Sequence, residues 1–156
     1  MNLLTAVEQK NIAEVNRLLK QGVDINMINK YGYSALHIAS TAMLNEMAVL
    51  LIESGANPNI QDKHGQTILH YAALNNQLDI AVVALARGAS LSVEDAYGNQ
   101  PLWTAVFNDK GRNGRIDIVR LFIRNGADVN HRNKAGKSPR DIVEIAGYAN
   151  LKSLVS

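Results

Sequence analysis

At 156 residues, 47% hydrophobic but only 5% aromatic, the chain has the size of one domain whose apolar surface comes from Ala, Leu, Ile and Val. Having no cysteine, it excludes a disulfide framework, a Cys-based zinc site and a thiol nucleophile. It also lacks any run of about eighteen apolar residues that would span a membrane as a helix. The net charge of +2 divides unevenly, with five Lys/Arg against seven Asp/Glu in residues 1–80 and eleven against seven in residues 81–156. The basic C-terminal half is either an attractor for an acidic partner or a solvated face.

The first residues lack a basic leader and are interrupted by Glu8 and Lys10, so they do not read as a signal peptide, and a cytoplasmic protein is expected. Leu4, Ala6 and Val7 mark a first helix. Ile12, Val15, Leu18 and Leu19 recur at helical spacing in a second, which Gly22 ends. A turn over Lys30, Tyr31 and Gly32 leads to Ser34, a plausible N-cap for a helix over 35–42. Met47, Val49, Leu50, Leu51 and Ile52 form the next helix, closed by Gly55, and Pro58 cannot continue it.

Thr67 caps the following helix, with Leu69, Ala72 and Ala73 as its packed face. Asn76 suits the turn because Asn tolerates the left-handed conformation. Residues 78–85 return to Gly88. In the next unit Pro101 takes the favoured first helical position, while Gln100 replaces the capping hydroxyl and predicts a weaker cap. Residues 109–113 read as an exposed insertion between two helices, so their deletion is expected to leave a folded protein. Ser138 and Pro139 open a helix through Glu144, and residues 149–155 make a short last one.

The stretch from Gly65 to Ala73 is repeated. Gly32, Gly65 and Gly98 lie 33 residues apart and Gly136 follows after 38; Gly22, Gly55, Gly88 and Gly126 keep the same spacing. Two marker series with one period divide the chain into units of about 1–28, 29–61, 62–94, 95–132 and 133–156, with no linker and no second domain.

This pattern resembles the ankyrin-repeat family over nearly the whole chain. The resemblance implies an all-α solenoid of helix-turn-helix units with β-hairpin fingers, five units including N- and C-terminal caps. Fingers and first helices would line a concave groove that holds a protein partner, without catalysis. His37 and His70 stand at the family's His position, where the imidazole ties one repeat to the next. The fourth unit has Trp103 there and the fifth Arg140. Either the interface is repacked around the indole, as expected here, or Trp103 touches a partner. Met43 replaces the usual glycine between helices.

Among chemical sites, His37 and His70 are about one repeat apart, roughly 10 Å, too far to share a metal ion. No Ser/His/Asp set stands out, Asp79 and Asp117 suit helix N-termini, and the glycines follow the repeat rather than a phosphate loop. No enzyme, cofactor or metal site is expected. His64 and His131 are either contacts or plain surface residues. Arg112, Arg115, Arg120, Arg124, Arg132, Lys134, Lys137 and Arg140 form a basic tract, but no aromatics interleave to stack on bases, so nucleic acid is not expected.

The repeat register exposes a set of finger and first-helix positions as the candidate partner-binding residues: Tyr31, Tyr33, His64, Gln66, Leu74, Tyr97, Asn99, Phe107, Asn108 and Lys137. Their aromatic content suits an interface. A Tyr33→Ala/Tyr97→Ala protein is therefore expected to stay folded and lose its partner. The function expected is a protein–protein interaction module, a monomeric adaptor or inhibitor with an unidentified protein partner and no membrane role. The alternatives are a toxin-neutralising immunity-type inhibitor, and a nucleic-acid-associated protein working through the basic half.

Overall fold

The computed structural model describes Met1–Ser156 as ten helices and one isolated antiparallel bridge, Ile28 with Ser34. The helices are α1 (Leu3–Glu8), α2 (Ile12–Lys20), α3 (Ala35–Thr41), α4 (Asn45–Glu53), α5 (Ile68–Asn75), α6 (Leu78–Ala86), α7 (Pro101–Asp109), α8 (Ile116–Arg124), α9 (Pro139–Ala146) and α10 (Ala149–Val155). None exceeds nine residues. Helices this short are marginal alone, so packing must hold them. The odd-numbered helices pack one on the next, each also packs on the helix that follows it, and α4, α6, α8 and α10 form a second row. One continuous apolar cluster runs from Leu3 to Val155 and includes Ala residues where helices approach closely. No helix is long and apolar enough to cross a membrane.

Local chemistry sets the boundaries. Ser34 and Ser138 cap α3 and α9 through their hydroxyls, and Asn2 and Asn11 cap α1 and α2. Gln100 makes no such bond, and Pro101 at the first position of α7 stands in for the missing cap. Asp79 and Asp117 lie inside the first turns of α6 and α8, where their charge favours the positive end of the helix without a capping bond. Between the helices of a unit the chain needs one left-handed residue. Asn76 takes it at φ 57° and Met43 at φ 58°, so the turn keeps its geometry despite the larger side chain. Ile12, assigned to a packed face by its spacing, is exposed.

The fingers are tight turns, with hairpin pairing reduced to the single antiparallel bridge of Ile28 with Ser34. Each is five residues long and closes on its first residue, Asn29, Asp62, Asp95 or Asn133. The backbone N–H of that residue donates to the carbonyl four positions on, and its carbonyl accepts from the glycine N–H three positions on. Its side-chain oxygen accepts two more backbone N–H bonds, from positions two and four on, at 2.8–3.1 Å. With four bonds made inside five residues, no strand is needed to satisfy the backbone.

The insertion is displaced from its expected place. Helix α7 runs through Asp109, which is buried rather than exposed. Its carboxylate accepts the Arg115 N–H at 2.6 Å and the Asn150 amide at 2.9 Å. Asn150 also donates to Asn113. Gly111 lies so close to the Tyr148 ring that a Cβ would sit 2.9 Å from it. The extra residues thus form a strut onto the last unit.

Candidate functional site

The exposed edge of the stack is built from the fingers and is continuous because the fingers bond to one another. Lys63 N–H donates to the Tyr31 carbonyl, Ala96 N–H to that of His64 and Lys134 N–H to that of Tyr97, at 2.8–3.2 Å. Behind them the two imidazoles lock adjacent units. His37 Nε2 donates to the Gln66 carbonyl at 3.2 Å, and His70 Nε2 donates to the Asn99 carbonyl at 2.9 Å. Their Nδ1 atoms then accept from the Ser34 and Thr67 backbone N–H groups at 3.2 and 3.1 Å. Burial lowers both imidazole pKa values below the ordinary 6.5, against the pull of those carbonyls and of the nearby Asp62 or Asp95 carboxylate. Both rings are therefore neutral structural links, with no nitrogen free for a metal or a substrate.

Tyr31 and Tyr97 occupy the finger tips and are 53% and 72% exposed; the Tyr31 ring lies 6.5 Å from that of Tyr33, and Tyr97 stands clear of the other rings. Tyr33 behaves differently. It is half-buried, its ring 6.0 Å from His37 and 6.5 Å from Tyr71, so it belongs partly to the scaffold. Tyr71 donates its hydroxyl to Asp62 at 2.6 Å, and burial together with that carboxylate raises its pKa. His64 and Lys137 are exposed and Gln66 and Asn108 half-buried. Asn99 does not belong to the surface: it is 7% exposed, its amide donates to Asp95, and its oxygen accepts from Asn133. The next finger covers it, which repeat register by itself does not reveal.

At the other end of the first helices, Leu74 and Phe107 are exposed at equivalent positions of α5 and α7. Trp103 lies stacked on Phe107, centroids 4.8 Å apart and planes 13° from parallel. The indole replaces the imidazole by packing, not by hydrogen bonding, since its buried Nε1 has no partner. His131 supplies a substitute link, its Nε2 lying 3.2 Å from the Gly98 carbonyl and 3.1 Å from Glu94.

The charges on this edge are sorted. Asp62 and Asp95 are buried and fully engaged with finger N–H groups. Lys30, Lys63, Lys134 and Lys137 are exposed, and no lysine of the chain lies within an ion pair. Lys30 and Lys63 place their ammonium groups 4.9 and 5.8 Å from the Tyr31 ring centre. The Lys134 ammonium donates to the Ala96 carbonyl at 2.7 Å. Lys63 and Lys134 were outside the predicted groove; Lys30 falls at one of its exposed positions but was not among the predicted partner-binding residues. The signal available for them was their common position, directly after the first residue of a finger.

The C-terminal arginines are largely committed to the structure. Arg115 donates to the Leu74 carbonyl at 2.7 Å, Arg140 to that of Val155 at 2.7 Å, Arg132 to Asp141 and the Gly136 carbonyl, and Arg120 lies 3.9 Å from Asp117. Comparison with known proteins gives one family. A family model described as ankyrin repeats (3 copies) matches residues 3–62 and 41–133, well over half of the chain. No curated protein matches it.

Proposed function

Because the chain belongs to the ankyrin-repeat family, whose repeats are generally protein–protein interaction modules, we propose that it binds a protein partner along its finger and first-helix edge, as a small adaptor or inhibitor. The observation that carries this reading is the exposure of Tyr31 and Tyr97 at the finger tips, where the neighbouring polar groups are already satisfied inside the stack. Rigid aromatic side chains of this kind lose little entropy on binding and are frequent interface anchors. The preformed, mutually bonded fingers reduce the ordering cost further. Leu74 and Phe107 extend the same surface to the far ends of α5 and α7. Nucleic-acid binding through the basic half has less support, because Arg115, Arg132 and Arg140 hold carbonyls and carboxylates of the stack itself.

The test is affinity capture from lysate of the native organism by wild type and by Tyr31→Ala/Tyr97→Ala, after both are shown to be equally helical. Tyr31 replaces Tyr33 in this pair because Tyr33 packs on His37 and Tyr71. A protein held by wild type should be held about tenfold more weakly, or worse, by the variant. Equal retention by both proteins overturns the placement of the site.

A further inference from the structure

We propose that the finger tips grip an extended acidic segment of the partner protein, with Lys30, Lys63, Lys134 and Lys137 meeting its carboxylates and Tyr31 and Tyr97 packing between them. The proposal rests on the protein-binding reading above and gives the partner a chemistry. Its ground is charge complementarity along one edge. The two finger carboxylates, Asp62 and Asp95, are turned inward onto backbone N–H groups, and the finger lysines are turned outward with no carboxylate at ion-pair distance. An ordinary solvated surface mixes both signs; the five-residue fingers present one, and Glu94, the exposed carboxylate beside the third finger, lies against His131. The two ammonium groups 4.9 and 5.8 Å from the Tyr31 ring centre add to this by concentrating positive charge at that tip. Lys134 spends one donor on Ala96 and keeps two.

The repeat also sets a spacing for the ligand. Adjacent fingers are about one helix–helix distance apart, roughly 10 Å, and an extended chain advances about 3.3 Å per residue. A strand lying along the fingers therefore brings about every third residue to a new finger. Acidic side chains at that interval meet Lys30 and Lys63 on successive tips, then pass Tyr97, then reach Lys134. An acidic protein segment fits better than a nucleic acid strand. The aromatics here are few and one tip carries Ala96 in place of a cation, whereas a phosphate backbone would want charge at every step.

The experiment is selection of a random peptide library displayed on phage against the intact protein, followed by anisotropy titration of the enriched peptides. Wild type, Lys30→Glu/Lys63→Glu, Lys134→Glu/Lys137→Glu and the Tyr31→Ala/Tyr97→Ala protein are compared, with a single-stranded oligonucleotide as a separate probe. The lysines are exposed, but Lys134→Glu also removes the bond to the Ala96 carbonyl, so circular dichroism and Tm first establish that each variant is folded. The expected result is enrichment of Asp and Glu at intervals of about three residues, with each lysine pair reversal weakening binding by about tenfold or more. Enriched peptides without an acidic excess, bound through the tyrosines and indifferent to the lysine reversals, overturn the acidic partner and leave the protein-binding reading intact. Tighter binding of the oligonucleotide than of any peptide overturns both, as does the absence of enrichment.

Discussion

His37 and His70 are hydrogen-bonded through both ring nitrogens, and protonation at Nδ1 would set one N–H against another. Burial lowers both folded-state pKa values below 6.5, the unfolded reference. The unfolded chain therefore takes up protons first as the pH falls, so the stability these groups contribute is complete above about 6.5 and is lost as the pH drops toward their lowered values. Tm measured by calorimetry is expected to fall between about pH 7.5 and about pH 5. In His37→Gln/His70→Gln the starting Tm is lower, but the fall across that window is smaller; an equal fall assigns the acid response elsewhere. Asp141, held below its ordinary 3.8 chiefly by the Ser138 backbone N–H, acts in a separate and more acidic window. The pairing of both histidines with the next unit was implied by the resemblance to ankyrin repeats, whose His position they occupy. The loss of Asn99 to the interior was not, because a polar residue after a turn glycine looks the same whether or not another finger covers it.

The turns between helices show which residue types a unit tolerates. Met43 adopts φ 58°, a conformation that costs a β-substituted residue about 1 kcal/mol or more, while Asn76 serves the same position one unit later. Met43→Asn is expected to raise stability by about 0.5–1 kcal/mol, read as a higher urea midpoint with an unchanged slope. Met43 is mostly exposed, so little burial is given up. Asp109 has the opposite character. Removing its carboxylate leaves the partly buried Arg115 N–H without an acceptor and takes one of the two acceptors of the Asn150 amide, and Asp109→Ala is expected to cost about 1–3 kcal/mol. Hydrogen exchange should show the loosening concentrated in α9 and α10. Deleting residues 109–113 would remove this carboxylate too, so the deletion is expected to destabilise the last unit rather than pass unnoticed. The repeat register placed the insertion within about one residue, but its composition, Asp, Lys, Gly, Arg and Asn, is equally that of a free loop. That the segment leans on Tyr148 depends on a contact 37 residues away in sequence.

For the whole molecule, the junctions between units matter more than the units. A Cβ on Gly65 would sit 3.0 Å from the Ala96 nitrogen and the Asp95 Cα, at φ 74°, whereas one on Gly88 meets nothing within 4 Å at φ 86°. Both substitutions incur left-handed strain, but only the first also wedges two fingers apart. Gly65→Ala is therefore expected to destabilise the stack by at least about 1 kcal/mol more than Gly88→Ala in urea unfolding. The order of helices, the period and the apolar faces were legible because each unit repeats the same local rules. The sorted charges of the finger edge were not, since Asp62 and Lys63 are neighbours in the chain and only the folded turn sends one inward and the other out. Trp103, placed at the fourth junction and stacked on Phe107, is the chain's single tryptophan. Its emission consequently reads that one junction, while far-ultraviolet dichroism reads all ten helices. Any gap between the two unfolding curves then measures how much helical stack survives once the indole has met water.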